Sequence, residues 1–398
     1  MSQSSSDFET AGNRRTSSAL VLAAGFSLTG VGTLTIGVLL PVFSRKWGLQ
    51  DNNAGLLLFL QFLGSTLGAV LTRGDRVRSL AIGYGLLVVS ACALAFVGPL
   101  TLFPAFFFFG LGLGLAMTAT NLLFSDRYAD DRAAKLERLN FAWSFGAMAA
   151  PALLLPFLRG ANLVFLYLSY AGMFLLLLLW VVFRERFHPP AFVKPAEAPP
   201  QERAPLASLL SLILMATCAV GVETALGGWL TTYSHRAYPA GIGEGAFATF
   251  LFMLGIVLSR LLFSTSLLER IGRKQVLRYA FWSTAASVAL LIAGHHTLLI
   301  DVASMLCGLS IGPLFPLLLA FVLARFSSGW VFAAAGLGSA IFPWLTGVVS
   351  ADLGSLRYGL LAPWGAALLM IALTPISFRP SRPPALNSEL PNTLNVRM

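Results

Sequence analysis

The chain has 398 residues, 57% of them hydrophobic and 11% charged, which is more apolar than a soluble core of this length needs. Its net charge of +10 is not arranged as a basic stripe suited to nucleic acid, so nucleic-acid binding is set aside in favour of a chain embedded in lipid. Enzyme signatures are also missing: there is no His-Glu-x-x-His, Walker-type loop or Gly-x-Ser-x-Gly, and the three cysteines and four histidines are dispersed. No catalytic residue, metal or cofactor is expected.

Twelve apolar runs follow one another, each long enough for a helix to cross about 30 Å of hydrocarbon. The first six span Thr16 to Phe43, Ala54 to Leu71, Ser79 to Val97, Leu102 to Phe124, Asn140 to Leu158 and Leu163 to Phe183. The second six span Ala207 to Thr232, Gly245 to Leu268, Val276 to Gly294, Leu298 to Leu323, Trp330 to Val349 and Tyr358 to Phe378. The first run follows Arg14 and Arg15 but is too long for a signal-peptide core and lacks a small-residue cleavage site, so it is expected to stay as helix 1. Between the sixth and seventh runs the chain becomes polar and proline-rich (RERFHPPAFVKPAEAPPQERAP), a composition that suits an extended linker. The expected organisation is a tail over 1–15, a six-helix bundle over 16–183, the linker over 184–206, a second bundle over 207–378 and a tail over 379–398.

Lysine and arginine set the orientation. If the N-terminus is cytoplasmic, only Arg45, Lys46, Arg159, Arg236 and Arg357 fall outside, Arg260 lies in the membrane and all the others fall inside. Both termini and the linker are therefore expected in the cytoplasm, with the body in a bacterial inner membrane. Cys92, Cys218 and Cys307 lie in apolar runs without metal-ligand spacing and read as small buried residues.

The two halves repeat. An offset of 191 sets Gly30 on Gly221, Thr33 on Thr224 and Gly37 on Gly228, and aligns Leu63-Gly64 with Leu254-Gly255. Further along, GLGLGLAMT from Gly110 meets GLSIGPLFP from Gly308, and Gly146-x-x-x-x-Pro151 meets Gly338-x-x-x-x-Pro343. Such duplicated bundles alternate access around a site between their halves. On these features the chain resembles the major facilitator superfamily, which implies an all-α membrane fold of twelve helices in two six-helix pseudo-repeats.

That resemblance extends to the short loops after helices 2 and 8, where the superfamily carries a basic gate motif. The first copy is degenerate, with Gly68, Arg73, Gly74, Asp75, Arg76 and Arg78. The second reads Glu269-Arg270-Ile271-Gly272-Arg273-Lys274, with Thr265 where the leading glycine belongs. Basic side chains there can bond neighbouring helix ends and latch the inner face; the alternative is a solvated loop.

Of the 44 acidic and basic residues, only Glu223 and Arg260 lie well inside apolar runs. An ionised group in hydrocarbon costs at least a few kcal/mol, so such residues mark function by default. Glu223 falls about 24 Å from the inner end of helix 7, and its repeat partner is Gly32, so the carboxyl belongs to one half alone. A low-dielectric setting favours a neutral carboxyl and a wet one favours the carboxylate, so a group alternating between them can load and release a proton. The alternative is a permanently protonated acid bonded to a neighbouring helix. Arg260 in helix 8 falls about 12 Å nearer the inner face, and its partner must be Glu223, backbone carbonyls, water or an anionic substrate group. It could also be a structural clamp.

AVGVETALGGWLTTY in helix 7, RLNFAWSFGAMAAP in helix 5 and Ser259-Arg260 in helix 8 resemble the fucose and glucose/galactose proton-symporter branch. The chain departs from that branch in having no acid in helices 1 and 4, and in placing Trp143 where the branch tends to have Gln. Proton coupling would then rest on Glu223. Gln61 is a candidate cavity hydrogen-bonding group, while Asn121 and Asn140 either contribute to the site or bond each other across the loop between helices 4 and 5. Trp143 and Trp229 either face a substrate or pack. Gly64, Gly68, Gly110, Gly112, Gly114, Gly308 and Gly312 favour close helix packing, and Pro313 with Pro316 should bend helix 10.

The expected function is secondary transport: symport of protons with a small polar solute such as a monosaccharide, by a monomer in the lipid bilayer. The alternative is a proton-driven exporter of drugs or metabolites. Exporters of the superfamily commonly carry a Gly-Pro-rich helix 5, of which Ala150-Pro151 keeps only the proline. A receptor or scaffold that moves nothing is least expected, since it has little use for a midplane carboxyl.

Overall fold

Backbone amides in hydrocarbon have no water to bond, so each apolar run must satisfy its own donors and acceptors as a helix. A computed structural model describes residues 3–128, 132–185, 205–237, 242–263, 270–323 and 330–378 and bears out that expectation. Twelve helices among these residues are long and apolar enough to cross a membrane. They are α1 (Gln3–Trp47), α2 (Asp51–Leu71), α3 (Arg76–Ala95), α4 (Leu102–Arg127), α5 (Arg132–Leu158) and α6 (Leu163–Trp180) in the first half. The second half holds α7 (Leu206–Ala237), α8 (Ile242–Phe263), α9 (Arg273–Ala293), α10 (Thr297–Ile311, continuing as Leu314–Leu323), α11 (Trp330–Asp352) and α12 (Leu361–Ser377). The face at which α1 starts is called here the N face and the opposite one the distal face.

Two helix starts differ most from the sequence reading. Helix α1 begins at Gln3, so most of the expected tail is a helical extension of the first span, which itself runs Ser18–Trp47. Helix α5 begins eight residues before Asn140, at Arg132, since a polar stretch without Gly or Pro can continue a helix beyond the lipid. Most of the linker and the C-terminal tail lie outside the described residues, as do Thr265 and Glu269.

The repeat is expressed in packing. A Cβ at Gly110 of α4 would meet the carbonyl oxygen of Gln61 in α2, and a Cβ at Gly308 of α10 would meet that of Phe252 in α8. Positions 61 and 252 are separated by the repeat offset of 191, so one crossing has been built twice. Glycine is required there because the facing backbone occupies the space of a side chain. Gly110→Val should therefore cost at least about 1–3 kcal/mol of overpacking, seen as a lowered melting temperature and yield. Gly85→Ala is the control, because nothing lies within 4 Å of the added carbon. Equal melting temperatures for the two variants would refute this packing role.

The bend expected in helix 10 is present as a break at Gly312 and Pro313. Pro316 falls in the first turn of the second segment, where a missing N–H leaves no bond unmade. A Cβ at Gly312 would strike the hydroxyl of Ser259, which puts the break against the residue preceding Arg260.

Across the halves, α1 packs on α7, α2 on α11 and α5 on α8. On the distal face the halves are tied together. Arg236 at the end of α7 donates two hydrogen bonds to Asp51 at the start of α2, both 2.7 Å, and Ser350 of α11 donates a third at 2.6 Å. The loop motif after α2 acts differently, within one half. Asp75 caps α3 by accepting from the amides of Val77 and Arg78, while Arg76 bonds the carbonyl of Gly74 and lies 3.7 Å from Asp126 at the end of α4. Arg270, Arg273 and Lys274 are exposed, and Gly272 makes the turn before α9 with φ +86°.

Candidate functional site

Among the described residues, the acid and the base deepest along the apolar helices meet. Oε1 of Glu223 in α7 lies 3.5 Å from Nη2 of Arg260 in α8. Rise along the helix suggests an offset of about 12 Å, which the reach of the two side chains spans. A contact of 3.5 Å is long for a charge-assisted bond, so the pair attracts without a tight bidentate lock.

Arg260 also reaches the other half. Its Nη1 donates to the hydroxyl of Ser144 in α5 at 2.8 Å. One guanidinium thus touches Glu223 in the second half and Ser144 in the first, and a movement of the halves must strain or break one of these bonds. Its Nε is buried without a partner. Sequence reading missed Ser144, which nothing in its own neighbourhood marks out except that it follows Trp143.

A narrow cavity between the halves contains Glu223 in its wall. The walls come from α1 (Thr33, Leu34, Ile36, Gly37), α2 (Leu58, Phe62), α5 (Trp143), α7 (with Thr224, Gly227 and Gly228) and α8 (Met253). Helices from both halves supply it, as a site serving alternating access requires. Most of the lining is apolar. The hydroxyls of Thr33 and Thr224 donate to carbonyls of their own helices, Thr29 at 2.8 Å and Val220 at 2.9 Å. Trp143 presents an indole Nε1 that is buried without a partner, an orphan donor beside the cavity.

The other candidates separate. Gln61 is fully buried and donates to the carbonyl of Thr33 at 3.1 Å, so it stands behind the α1 wall rather than in the lining. Its Oε1 is buried without a partner. Trp229 is fully buried and donates from Nε1 to the carbonyl of Pro343 in α11 at 2.7 Å, which makes it a tie between two helices of one half. The helix-to-helix bond expected of Asn121 and Asn140 is not made. Asn121 donates to the carbonyl of Met117 in its own helix at 3.1 Å, and Asn140 is exposed. Cys218 and Cys307 are buried as expected, whereas Cys92 is on the exposed side of α3. Among the described residues no group of His, Cys, Asp and Glu is placed to hold a metal ion.

Comparison with known proteins gives a single family. The sequence profile of the Major Facilitator Superfamily matches residues 20–327. Among solved structures the fold is similar to that of a Major Facilitator Superfamily transporter, FucP, in the outward conformation, with a TM-score of 0.60 and 18% identity over 91% of this chain and 99% of that one. It is equally similar to the E. coli fucose:proton symporter FucP carrying N162A, with a TM-score of 0.60 and 17% identity over 91% and 98% of the two chains. The sequence matches none of the curated proteins compared with it.

Proposed function

Because this chain belongs to the Major Facilitator Superfamily and is a multi-pass membrane transporter, we propose that it couples proton movement to a small polar solute through Glu223. The observation that carries this reading is the carboxyl midway along α7, on the wall of a cavity between the halves and facing a cation that also bonds the opposite half. With Glu223 ionised, the pair is neutral and Arg260 has its counter-charge. Protonation removes that attraction, frees the guanidinium and prepares the cavity for a solute. Return of the empty carrier follows deprotonation on the other side. Each step changes which groups satisfy Arg260, and a change of partner is what a bistable bundle can convert into rocking.

Symport is favoured over export by the lack of glycines following Pro151 in α5 and by the likeness of the fold to a fucose:proton symporter. Sugar specificity has less support at the site, where the threonine hydroxyls already donate to backbone. The two directions of coupling differ in one sign. In vesicles, solute flowing inward down its gradient should carry protons inward under symport and draw them outward under exchange. A ligand for this test comes from a thermal-shift screen of sugars, organic acids and hydrophobic cations, since ligand binding raises apparent stability. Solute flow without proton movement of either sign contradicts the coupling.

The N face is proposed to be cytoplasmic, from the lysine and arginine asymmetry. Ala196→Cys in the linker should then resist an impermeant thiol reagent in intact cells and react after permeabilisation. Labelling in intact cells reverses the orientation.

A further inference from the structure

We infer that the solute is a small monocarboxylate with an apolar body, bound with its carboxylate on Arg260 in place of ionised Glu223. This rests on the proposed role of Glu223 and goes further in naming the substrate class. Three observations carry it: two concern Arg260, which meets the cavity wall at Glu223, and its neighbours, and one concerns the rest of the wall.

The first is charge. Among the described residues Arg260 is the cation embedded mid-bundle, and Glu223 is the acid that it meets. Cys218 lies within α7 and Cys307 within α10, both neutral thiols at working pH, and the charged groups on the elements packed around Glu223 sit at their ends. In α7 itself, His235 and Arg236 are at the distal end, as are Asp301 of α10, Asp352 of α11 and Glu244 of α8. Helix α1 carries none between Arg15 and Arg45, the second segment of α10 and all of α12 carry none, and α5, which meets α8, has Arg132, Lys135, Glu137 and Arg138 near its N-face end. The local charge is therefore set by two groups. When Glu223 takes one proton from a hydronium ion, an O–H bond of the hydronium breaks as one forms on the carboxylate, water is left behind, and the pair goes from neutral to one positive charge. A single negative charge on the solute restores neutrality. Both forms fit to reorient, the empty ion pair and the loaded Arg260, protonated Glu223 and monoanion, are then neutral, whereas a neutral sugar would leave Arg260 uncompensated in low dielectric.

The second observation is the set of orphan donors. Nε of Arg260 and Nε1 of Trp143 are both buried without acceptors, and the hydroxyl of Ser144, next to Trp143 in the chain, already meets Arg260. Donors without acceptors call for an acceptor-rich group, and a carboxylate offers two oxygens with no proton of its own. The third is the rest of the wall. Leu34, Ile36, Leu58, Phe62 and Met253 offer no hydrogen bond to the hydroxyls of a sugar but suit an alkyl or aryl body.

The test uses the full chain in lipid nanodiscs with benzoate and butyrate as probes and benzamide and D-galactose as neutral comparators. At about pH 6 the two carboxylates should raise the melting temperature, benzamide and D-galactose should not, and benzoate binding in weak buffer should take up roughly one proton. Glu223→Gln should bind benzoate without proton uptake. Arg260→Lys, which keeps the charge and loses the fork, should weaken benzoate at least roughly tenfold. Stabilisation by benzamide or D-galactose equal to that by benzoate, or none by either carboxylate, overturns the substrate class and leaves the proton role of Glu223 standing. Tight benzoate binding with no proton uptake in the wild type does the reverse: it upholds the carboxylate and removes Glu223 as carrier.

Discussion

Glu223→Gln should abolish accumulation driven by a pH gradient while leaving exchange of solute across the membrane. A carrier moving one proton per solute gains about tenfold in accumulation for each unit of pH difference, so two units give roughly a hundredfold, which should collapse to equality in the variant. Glutamine keeps the size of the side chain and can mimic the protonated acid by donating and accepting hydrogen bonds, but it has no proton to release. The loaded form is therefore preserved and the neutral ion pair of the empty form is lost. Exchange uses only loaded forms and should persist within a few-fold. Loss of both activities in a well-folded variant would move Glu223 from the coupling step to solute binding.

The second large effect is expected at Arg260, with alanine and lysine separating two roles. Arg260→Ala removes the group that touches both Glu223 and Ser144, and leaves Glu223 without its cation. Transport should fall by at least about a hundredfold, as removal of a charged hydrogen-bonding partner commonly costs several kcal/mol. Since the side chain is 28% exposed and its contact with Glu223 is 3.5 Å, the fold should lose less than it would with a fully buried, tightly bonded pair. Arg260→Lys should remain folded and move solute slowly, because an ammonium reaches one partner at a time where the guanidinium reaches two. A lysine variant with wild-type transport would show that bridging is unnecessary, and an alanine variant that fails to fold alongside it would identify a structural clamp.

Much of the frame was legible in the sequence because lipid imposes one rule on every segment: an apolar run long enough to span must be helical. The repeat was legible through its glycines, since a backbone crossing leaves no alternative residue at Gly110 or Gly308. Glu223 and Arg260 were conspicuous as charges among apolar neighbours. What sequence did not reveal depends on how the helices meet. Ser144 became important only when α5 was placed against α8, and the distal tie of Asp51 to Arg236 and Ser350 joins residues from three helices that no local pattern connects. Their one local signal is an acid in the first turn of α2 and a base in the last turn of α7, each favourable to its own helix dipole and therefore uninformative about a partner. Trp229 misled for a related reason. An aromatic ring on a membrane helix can face a cavity, the lipid or a neighbour, and here its indole N–H found the carbonyl of Pro343. The contact between Glu223 and Arg260 was open in the sequence reading, because helical rise places the backbones and says nothing of where a long side chain ends.

The central claim is that Glu223 itself gains and loses a proton under working conditions, and infrared difference spectroscopy of the protein in lipid tests it without any knowledge of the solute. Spectra taken between about pH 5 and about pH 9 should contain a protonated-carboxyl band that grows as pH falls. That band should be missing from Glu223→Gln and altered in position or midpoint in Arg260→Lys. Identical difference spectra for the wild type and Glu223→Gln would mean that Glu223 keeps one protonation state throughout, and would contradict the account.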